Sequence, residues 1–152
     1  MKKGLLKELE EFINEMLDVS GKIALENFRE IREMSLKGDS SPVTKTDIKI
    51  EQYIRTKILE NYPNHKIIGE ELDFVDGTEN ITWYIDPIDG TRSFVAGKHD
   101  FGTLLAVVMD EEIIGGVVDC PALGERWTSF DPKQTKVNQV ITQCKAVEDL
   151  SN

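Results

Sequence analysis

The stretch WYIDPIDGTRSF, residues 83–94, places two aspartates three positions apart and follows them at once with a glycine and a threonine. Asp86 and Asp89 come after an apolar run that is typical of a strand, and the proline between them stiffens the turn. Two further acidic groups stand elsewhere, at Asp47 and at the Glu-Glu pair that begins with Glu70 after a second strand-like run. Because neighbouring strands place their ends side by side, we expect Glu70 and Asp86 to lie close together.

Crowded carboxylates repel one another, so they must be protonated, paired with basic side chains or neutralised by cations. Oxygen ligands select Mg²⁺, Mn²⁺ or Ca²⁺ over zinc and copper, and the motif holds no histidine or cysteine. Asp86 and Asp89 are spaced to bridge two ions. Each group alone has a simpler interpretation as a turn, a solvated surface or a helix cap. Their occurrence together, at the ends of predicted elements, favours a metal site.

The residues after the aspartates suit a phosphate. Gly90 would let the backbone approach a ligand closely, and residues 91–94 are typical of the first turn of a short helix. The free N–H groups of such a turn would face a phosphate. The Thr91 hydroxyl could then orient a water held by the metal ions, with Asp47 accepting its proton. Together the residues predict a hydrolysis site for a phosphate compound.

The whole chain is compatible with one globular domain, since its 152 residues are 39% hydrophobic and 30% charged. A net charge of −10 argues against general nucleic-acid binding, which needs a basic face. No apolar run is long enough to span a membrane, and the N-terminus does not have the pattern of a signal peptide. We therefore expect a cytoplasmic protein in which Cys120 and Cys144 are reduced, partly buried thiols.

The periodicity of apolar residues predicts helices first and strands after them. The helices are expected over residues 5–35, with a possible bend at Gly21, and over about 46–61, with a loop at 37–42 between them. Strands are expected at residues 66–68, 82–85, 103–109, 113–119 and 125–130, with an acidic hairpin turn at 110–112. Residues 131–152 are polar and weakly patterned. This order predicts an α+β fold with helices layered on a mainly antiparallel sheet.

The segments SPVTKTD, IIGEE and WYIDPIDGT, in this order, resemble three signatures of the inositol monophosphatase superfamily. Its members are magnesium-dependent, lithium-sensitive phosphomonoesterases, and the resemblance covers essentially the whole chain. It implies the N-terminal lobe of the inositol monophosphatase and fructose-bisphosphatase-like fold. It also implies a small phosphorylated metabolite as substrate, a homodimer, and two or three Mg²⁺ ions in the complete family site.

The resemblance also assigns roles to individual residues. The first, catalytic Mg²⁺ would be bound by three groups, namely Glu70, Asp86 and the backbone carbonyl of Ile88. A second ion would be bound with the help of Asp86 and Asp89. Thr91 and Asp47 would form the pair that positions the attacking water. The substrate phosphate would be held at residues 88–91, that is Ile88, Asp89, Gly90 and Thr91, while Glu71 would have a supporting role.

Two longer stretches, DGTRSFVAGKHDFGTLLAVV and PALGERWTS, are similar to the histidinol-phosphatase-like branch of the superfamily. The resemblance thus implies a histidinol-phosphate phosphatase-like enzyme, with an inositol-1-monophosphatase as an alternative. The family's C-terminal Trp-Asp signature, whose aspartate completes the second metal site, has no match, since the tryptophans are Trp83 and Trp127. Residues 1–152 are therefore expected to form an N-terminal lobe without its C-terminal lobe.

Such a chain could also be a catalytically impaired fragment that only binds metal or phosphate. An acidic calcium-binding module is a weaker alternative, because the glutamate that closes an EF-hand loop is missing after Gly90.

Overall fold

The computed structural model describes residues 2–30, 34–36 and 42–143. The chain begins with a long helix, a two-stranded ribbon and a second helix: α1 (Lys2–Asn27), β1 (Met34–Leu36), β2 (Pro42–Thr44) and α2 (Lys45–Asn61). A seven-stranded sheet follows, with one short helix after its second strand. Its elements are β3 (Lys66–Gly69), β4 (Ile81–Asp89), α3 (Thr91–Val95), β5 (Gly102–Met109), β6 (Glu112–Cys120), β7 (Glu125–Asp131), β8 (Gln134–Val137) and β9 (Val140–Thr142).

The seven strands lie in the sheet in the same order as in the chain. β3 and β4 are parallel, and every later neighbour is antiparallel. This confirms the predicted α+β fold with a mainly antiparallel sheet. The predicted acidic turn between β5 and β6 is also present, with Asp110 and Glu111 at φ of 51° and 68°. Two consecutive left-handed residues give a tight hairpin turn whose twist matches that of the strands.

One hydrophobic core lies between the two long helices and one face of the sheet. Residues at helical spacing on α1 and α2 meet alternate residues of the strands, and all of them are buried: Leu9, Ile13, Leu17, Ile50, Ile54, Ile58, Trp83, Ile85, Leu105 and Val107. The opposite face of the sheet exposes apolar side chains, among them Ile68, Tyr84 and Val118. A shallow depression of about 830 Å³ lies on that face, around Tyr84, Ala106 and Val108. The candidate site residues are not among those that line it.

The prediction of a helix over residues 5–35 is wrong at residues 28–30 and 34–35, because α1 ends at Asn27. Arg29 has a left-handed φ of 65°, and its guanidinium donates two hydrogen bonds of 3.2 Å to the carbonyl of Gly97. The ring of Phe28 packs against the rings of Phe94 and Phe101, with distances between ring centroids of 5.8 and 5.1 Å. These long-range contacts outweigh the local helical pattern, and β1 begins at Met34.

Gly21 lies inside the continuous helix α1, and the bend expected there stays a prediction. A Cβ at this position would lie 3.3 Å from the side chain of Pro121, just beyond β6. The glycine therefore marks the place where the helix approaches the sheet closely, which is a packing role that the sequence alone does not reveal.

The second predicted helix is confirmed, since α2 spans Lys45–Asn61. Pro42 begins β2 instead of ending the predicted loop, and the rest of that loop, residues 37–41, lies outside the described residues. The tail holds two strands, β8 and β9, that the sequence did not predict. They are mostly exposed on both faces, so they carry no alternation of apolar and polar residues.

Cys120 is a free, half-buried thiol, as predicted, whereas Cys144 lies outside the described residues. No helix within the described ranges is long and apolar enough to cross a membrane.

Candidate active site

The parallel pairing of β3 with β4 brings two of the predicted acidic groups together. Gly69, the last residue of β3, pairs with Ile85, and the backbone N–H of Glu70 donates to the carbonyl of Ile85 at 3.1 Å. The pairing therefore continues one residue beyond β3 and sets Glu70 beside Asp86. The prediction that Glu70 and Asp86 lie close together is therefore confirmed.

Asp86 and Asp89 lie inside β4, and the prediction that they follow the end of the strand is wrong. Three steps along β4 from Asp86 to Asp89 face only two steps along β5, which is a β-bulge. Residues three apart on a regular strand point to opposite faces, and one extra residue brings them to the same side. Pro87 has no N–H to give to the ladder, and its carbonyl accepts a hydrogen bond of 2.8 Å from the Thr103 hydroxyl.

The charge on Asp86 is poorly compensated. Burial, and then the nearby carboxylates of Glu70 and Asp89, raise the pKa of Asp86 to about 7. Its Oδ1 is buried and has no hydrogen-bond partner among the described residues. A buried oxygen without a donor, among other carboxylates, fits a hard cation such as Mg²⁺. Within the described ranges no three acidic, histidine or cysteine groups lie close enough together to hold a metal ion as they stand.

Asp47 lies on α2 and is fully buried. Its Oδ2 accepts hydrogen bonds from the backbone N–H of Thr44, at 3.0 Å, and from the Thr44 hydroxyl. The same hydroxyl oxygen accepts the N–H groups of Thr46 and Asp47, so Thr44 and Asp47 form a capping box at the start of α2. The other oxygen, Oδ1, accepts a hydrogen bond of 3.3 Å from the Thr91 hydroxyl. Burial raises the pKa of Asp47, and these hydrogen bonds oppose the rise.

The tight turn after β4 brings Asp47 of α2 close to the acidic end of β4, because Thr91 contacts both. The single proton of the Thr91 hydroxyl lies within reach of a second acceptor besides Asp47, the carbonyl of Ile88 at 3.0 Å. Gly90 has φ of 82°, and a Cβ there would lie 2.6 Å from the carbonyl oxygen of Asp100. Both its left-handed backbone and its close contact require glycine. The predicted short helix is present as α3, and no side chain of Gly90 is available to cap it.

Sequence reasoning missed two buried charged residues on α2. Glu51 and Arg55 form an ion pair of 2.7 Å at i, i+4 spacing and contact the turn that follows Glu70. The backbone N–H of Glu71 donates to Oε2 of Glu51 at 2.7 Å. The available signal was an acid and a base standing directly beside core isoleucines, at positions where a solvated pair is not expected.

Comparison with known protein families gives a match over nearly the whole chain. The model of the Inositol monophosphatase family matches residues 5–152. A chloroplastic bifunctional phosphatase, IMPL2, of Arabidopsis thaliana is 38% identical over 140 residues, which cover 91% of this chain and 40% of that protein. A histidinol-phosphatase of Chlorobaculum parvum is 33% identical over 138 residues, which cover 90% of this chain and 53% of that protein. The chain thus spans about half the length of the relatives it matches.

Solved structures agree with this result. An inositol monophosphatase from Zymomonas mobilis superimposes with a TM-score of 0.76 at 32% identity, over 93% of this chain and 54% of that one. An IMPase/NADP phosphatase, solved in complex with Mg²⁺ and phosphate, superimposes with a TM-score of 0.80 at 21% identity. It covers 90% of this chain and 52% of its own, and at that identity it shows a shared fold.

Proposed function

Because this chain belongs to the inositol monophosphatase family, we propose that its carboxylate site hydrolyses a small phosphate monoester in a magnesium-dependent reaction. The observation that carries the proposal is the buried, unpartnered Oδ1 of Asp86, set between two other carboxylates. A chain gains nothing in stability from such an arrangement unless a cation neutralises it. The two relatives described above are named as phosphatases, and one structural neighbour was solved with Mg²⁺ and phosphate.

Three groups at the end of β3 and β4 are proposed as ligands of the first Mg²⁺: Glu70, Asp86 and the carbonyl of Ile88. Asp86 and Asp89 are proposed to help bind a second ion, and two or three ions are proposed for the complete site, as the family resemblance implies. The bulge in β4 supports this assignment because it turns Asp86 and Asp89 to one side. When bound, the ions would supply positive charge that acidifies a water and offsets the charge on the phosphoryl group.

Thr91 and Asp47 are proposed to orient the attacking water and to take its proton. The Thr91 hydroxyl is held between the Ile88 carbonyl and Asp47, so its lone pairs have a fixed direction. Burial makes Asp47 a stronger base than an ordinary aspartate, because it raises the pKa. Thr44 fixes the far oxygen of Asp47 and leaves the oxygen near Thr91 directed at the site.

The backbone at residues 88–91 is proposed to hold the substrate phosphate, through Ile88, Asp89, Gly90 and Thr91. Gly90 has no side chain to occupy the approach, and α3 begins with its N–H groups at the same place. N–H groups in the first turn of a helix have no partner within the helix and favour anions. The phosphate would thus lie between these donors and the carboxylate-bound cations.

Histidinol phosphate is the proposed substrate, with inositol 1-phosphate as the second candidate. The first is supported by the histidinol-phosphatase relative at 33% identity, and the second by the Zymomonas mobilis structure at 32%. We further propose inhibition by lithium, a homodimer and a cytoplasmic location, as the family resemblance implies.

The test is phosphate release from both substrates, with and without Mg²⁺, by the wild type and by Asp86→Asn. We expect release by the wild type to depend on Mg²⁺, to fall with lithium, and to drop at least about a hundredfold in the variant, since even indirect contacts to a metal are worth 10–100-fold. Mg²⁺ titration of both proteins is the second measurement. Binding without release would instead support the alternative of a fragment that only binds metal. Equal Mg²⁺ binding by both proteins would exclude the proposed metal site.

A further inference from the structure

Glu51 is a carboxylate that the protein surrounds entirely with its own donors. Its side chain has no solvent exposure. Oε2 accepts the backbone N–H of Glu71 at 2.7 Å, and Oε1 accepts that of Leu72 at 3.2 Å. Two guanidinium nitrogens of Arg55, Nε and Nη2, lie 2.7 Å from Oε1. A buried charge is tolerated when such bonds satisfy it, so this helix residue is fixed to the turn that follows Glu70.

Arg55 completes the connection from the other side of the same turn. Its Nη2 donates to the carbonyl of Leu72 at 2.8 Å, and its Nη1 donates to the carbonyl of Asp73 at 2.5 Å. The planar guanidinium therefore donates to Glu51 along one edge and to the carbonyls of Leu72 and Asp73 along its other edges. Both the N–H groups and the carbonyls of the turn are held by two neighbouring side chains of α2.

Gly69 allows the turn to come this close. A Cβ on Gly69 would lie 1.9 Å from Oε1 of Glu51 and 2.8 Å from Nη2 of Arg55. The residue directly before Glu70 is thus in contact with the ion pair through its Cα. Glu70 lies between this contact and the Glu71 amide, so the ion pair fixes the backbone on both sides of it.

One face of α2 serves both halves of the site. Asp47, Glu51 and Arg55 are spaced four residues apart and therefore lie along one side of the helix. Asp47 contacts Thr91, while Glu51 and Arg55 contact the turn after Glu70. A single rigid helix thus sets the distance between the proposed water-orienting pair and the proposed metal ligands.

We infer that Glu51 and Arg55 are positioning residues that hold the turn at 69–73, and with it Glu70, in place beside Asp86. The expected consequence is that the Glu51–Arg55 ion pair controls the affinity for metal, and this consequence rests on the proposed function. A buried ion pair is commonly no more stabilising than apolar residues of the same size, so stability alone does not account for it. Contacts behind a metal ligand commonly change affinity by 10–100-fold when they are removed.

The test uses Glu51→Gln and Arg55→Lys, with Glu60→Gln as the matched control. Glu60 pairs with Lys57 on the exposed side of the same helix, at 2.7 Å. Glu51→Gln keeps the shape but replaces one acceptor oxygen by a donor, whereas Arg55→Lys keeps the charge but loses the planar fork. Two quantities are measured on each folded protein: Mn²⁺ affinity by electron paramagnetic resonance, and amide hydrogen exchange.

We expect Glu51→Gln to lower Mn²⁺ affinity about tenfold or more, the lower end of the effects known for residues behind metal ligands. Exchange at the amides of Glu71 and Leu72 should become faster, while amides of β5 and β6 stay as in the wild type. Arg55→Lys should change both quantities in the same direction by less, and Glu60→Gln should change neither. If Glu51→Gln does not fold, Arg55→Lys decides the question.

Wild-type exchange at Glu71 and Leu72 in the folded variants would overturn the inference, as would unchanged Mn²⁺ affinity in them. A wild type that binds Mn²⁺ no better than Asp86→Asn would contradict the proposed function instead. In that case the exchange rates at Glu71 and Leu72 alone decide whether the ion pair holds the turn.

Discussion

Two regions of one site treat buried carboxylates in opposite ways. On α2, Asp47 and Glu51, which we call the donor-rich carboxylates, are surrounded by hydrogen-bond donors of the chain itself. On β4, Asp86, the donor-poor carboxylate, has a buried oxygen without a partner and two acidic neighbours. Burial raises the pKa of both Asp47 and Asp86, but hydrogen bonds oppose the rise at Asp47, and like charges add to it at Asp86.

The difference separates what belongs to the fold from what belongs to a ligand. The donor-rich carboxylates have both oxygens hydrogen-bonded within the chain, so α2 and the turns it contacts are fixed before any cation binds. The donor-poor carboxylate is instead relieved either by a proton, which its raised pKa of about 7 favours, or by the cation proposed above. Sites that are rigid before binding lose less free energy on binding, because the ligand does not have to order them.

The largest expected effect comes from breaking the donor-rich side with Gly69→Ala. The new Cβ would lie 1.9 Å from Oε1 of Glu51, an oxygen that three nitrogens hold in place and that cannot move aside freely. We expect the free energy of unfolding to fall by about 3 kcal/mol, the upper end for overpacked interiors. Urea unfolding measures it.

Gly116→Ala is the matched control for that substitution. Gly116 also lies in a strand, but the nearest atom to its new Cβ would be 3.7 Å away, an ordinary contact. A Gly69→Ala protein as stable as Gly116→Ala would show that the carboxylate of Glu51 is not held rigidly, and the distinction between the two regions would lose its basis.

The second effect concerns Asp86→Asn without metal, and its sign depends on pH. The pKa of Asp86 is raised to about 7 in the folded chain, so folding favours the neutral form. The stability from that form is complete below about pH 4, near the ordinary pKa of aspartate, and is lost as pH rises through about 7. We expect Asp86→Asn to be more stable than the wild type at pH 8 by about 2 kcal/mol, after a reduction for partial exposure.

Urea unfolding in a chelator at pH 5 and pH 8 checks this prediction, since the advantage of the variant should grow between the two. Saturating Mg²⁺ should reverse the order at pH 8, because it stabilises only the protein that binds it. A variant that is less stable than the wild type at pH 8 without metal would show that Asp86 finds its compensation within the chain.

The local features of the site could be predicted from the sequence, whereas the long-range ones could not. The strand-like runs before Glu70 and Asp86 predicted that these residues would meet, because strand pairing follows from the apolar pattern. The bulge between Asp86 and Asp89 depends on how β4 pairs with β5, and only Pro87 hinted at it. The residue roles themselves remain predictions.

The burial of Glu51 had no local signal either. It is set by the turn at 71–73, which arrives twenty residues later in the chain. The end of α1 was missed for the same reason, since the ring of Phe28 packs against residues of α3 and the loop before β5. Periodicity describes which face of an element is apolar, but not which distant backbone will reach a charged side chain on that face.

The smallest effect is expected from Thr44→Ala, which removes part of the donor set of Asp47 while leaving its backbone partner. The hydroxyl of Thr44 donates to Asp47 and accepts the N–H groups of Thr46 and Asp47, at 3.1 and 3.4 Å. The backbone N–H of Thr44 and the Thr91 hydroxyl still bond Asp47 in the variant. We expect a loss of about 1 kcal/mol in the free energy of unfolding, the usual cost of a lost helix cap.

Thr44→Ser keeps the hydroxyl and is the matched control, so it should lose no more than about half as much in the same urea measurement. The comparison of the two variants measures how much the Thr44 hydroxyl contributes to holding Asp47. If alanine and serine are equally stable, the hydroxyl contributes nothing, and Asp47 is held by its backbone partner and Thr91 alone. If Thr44→Ala lowers the free energy of unfolding by far more than the loss of a helix cap does, Asp47 has become a poorly compensated carboxylate like Asp86. The reason would be that a buried charge that loses a hydrogen-bond partner destabilises the fold by more than the bond itself contributes.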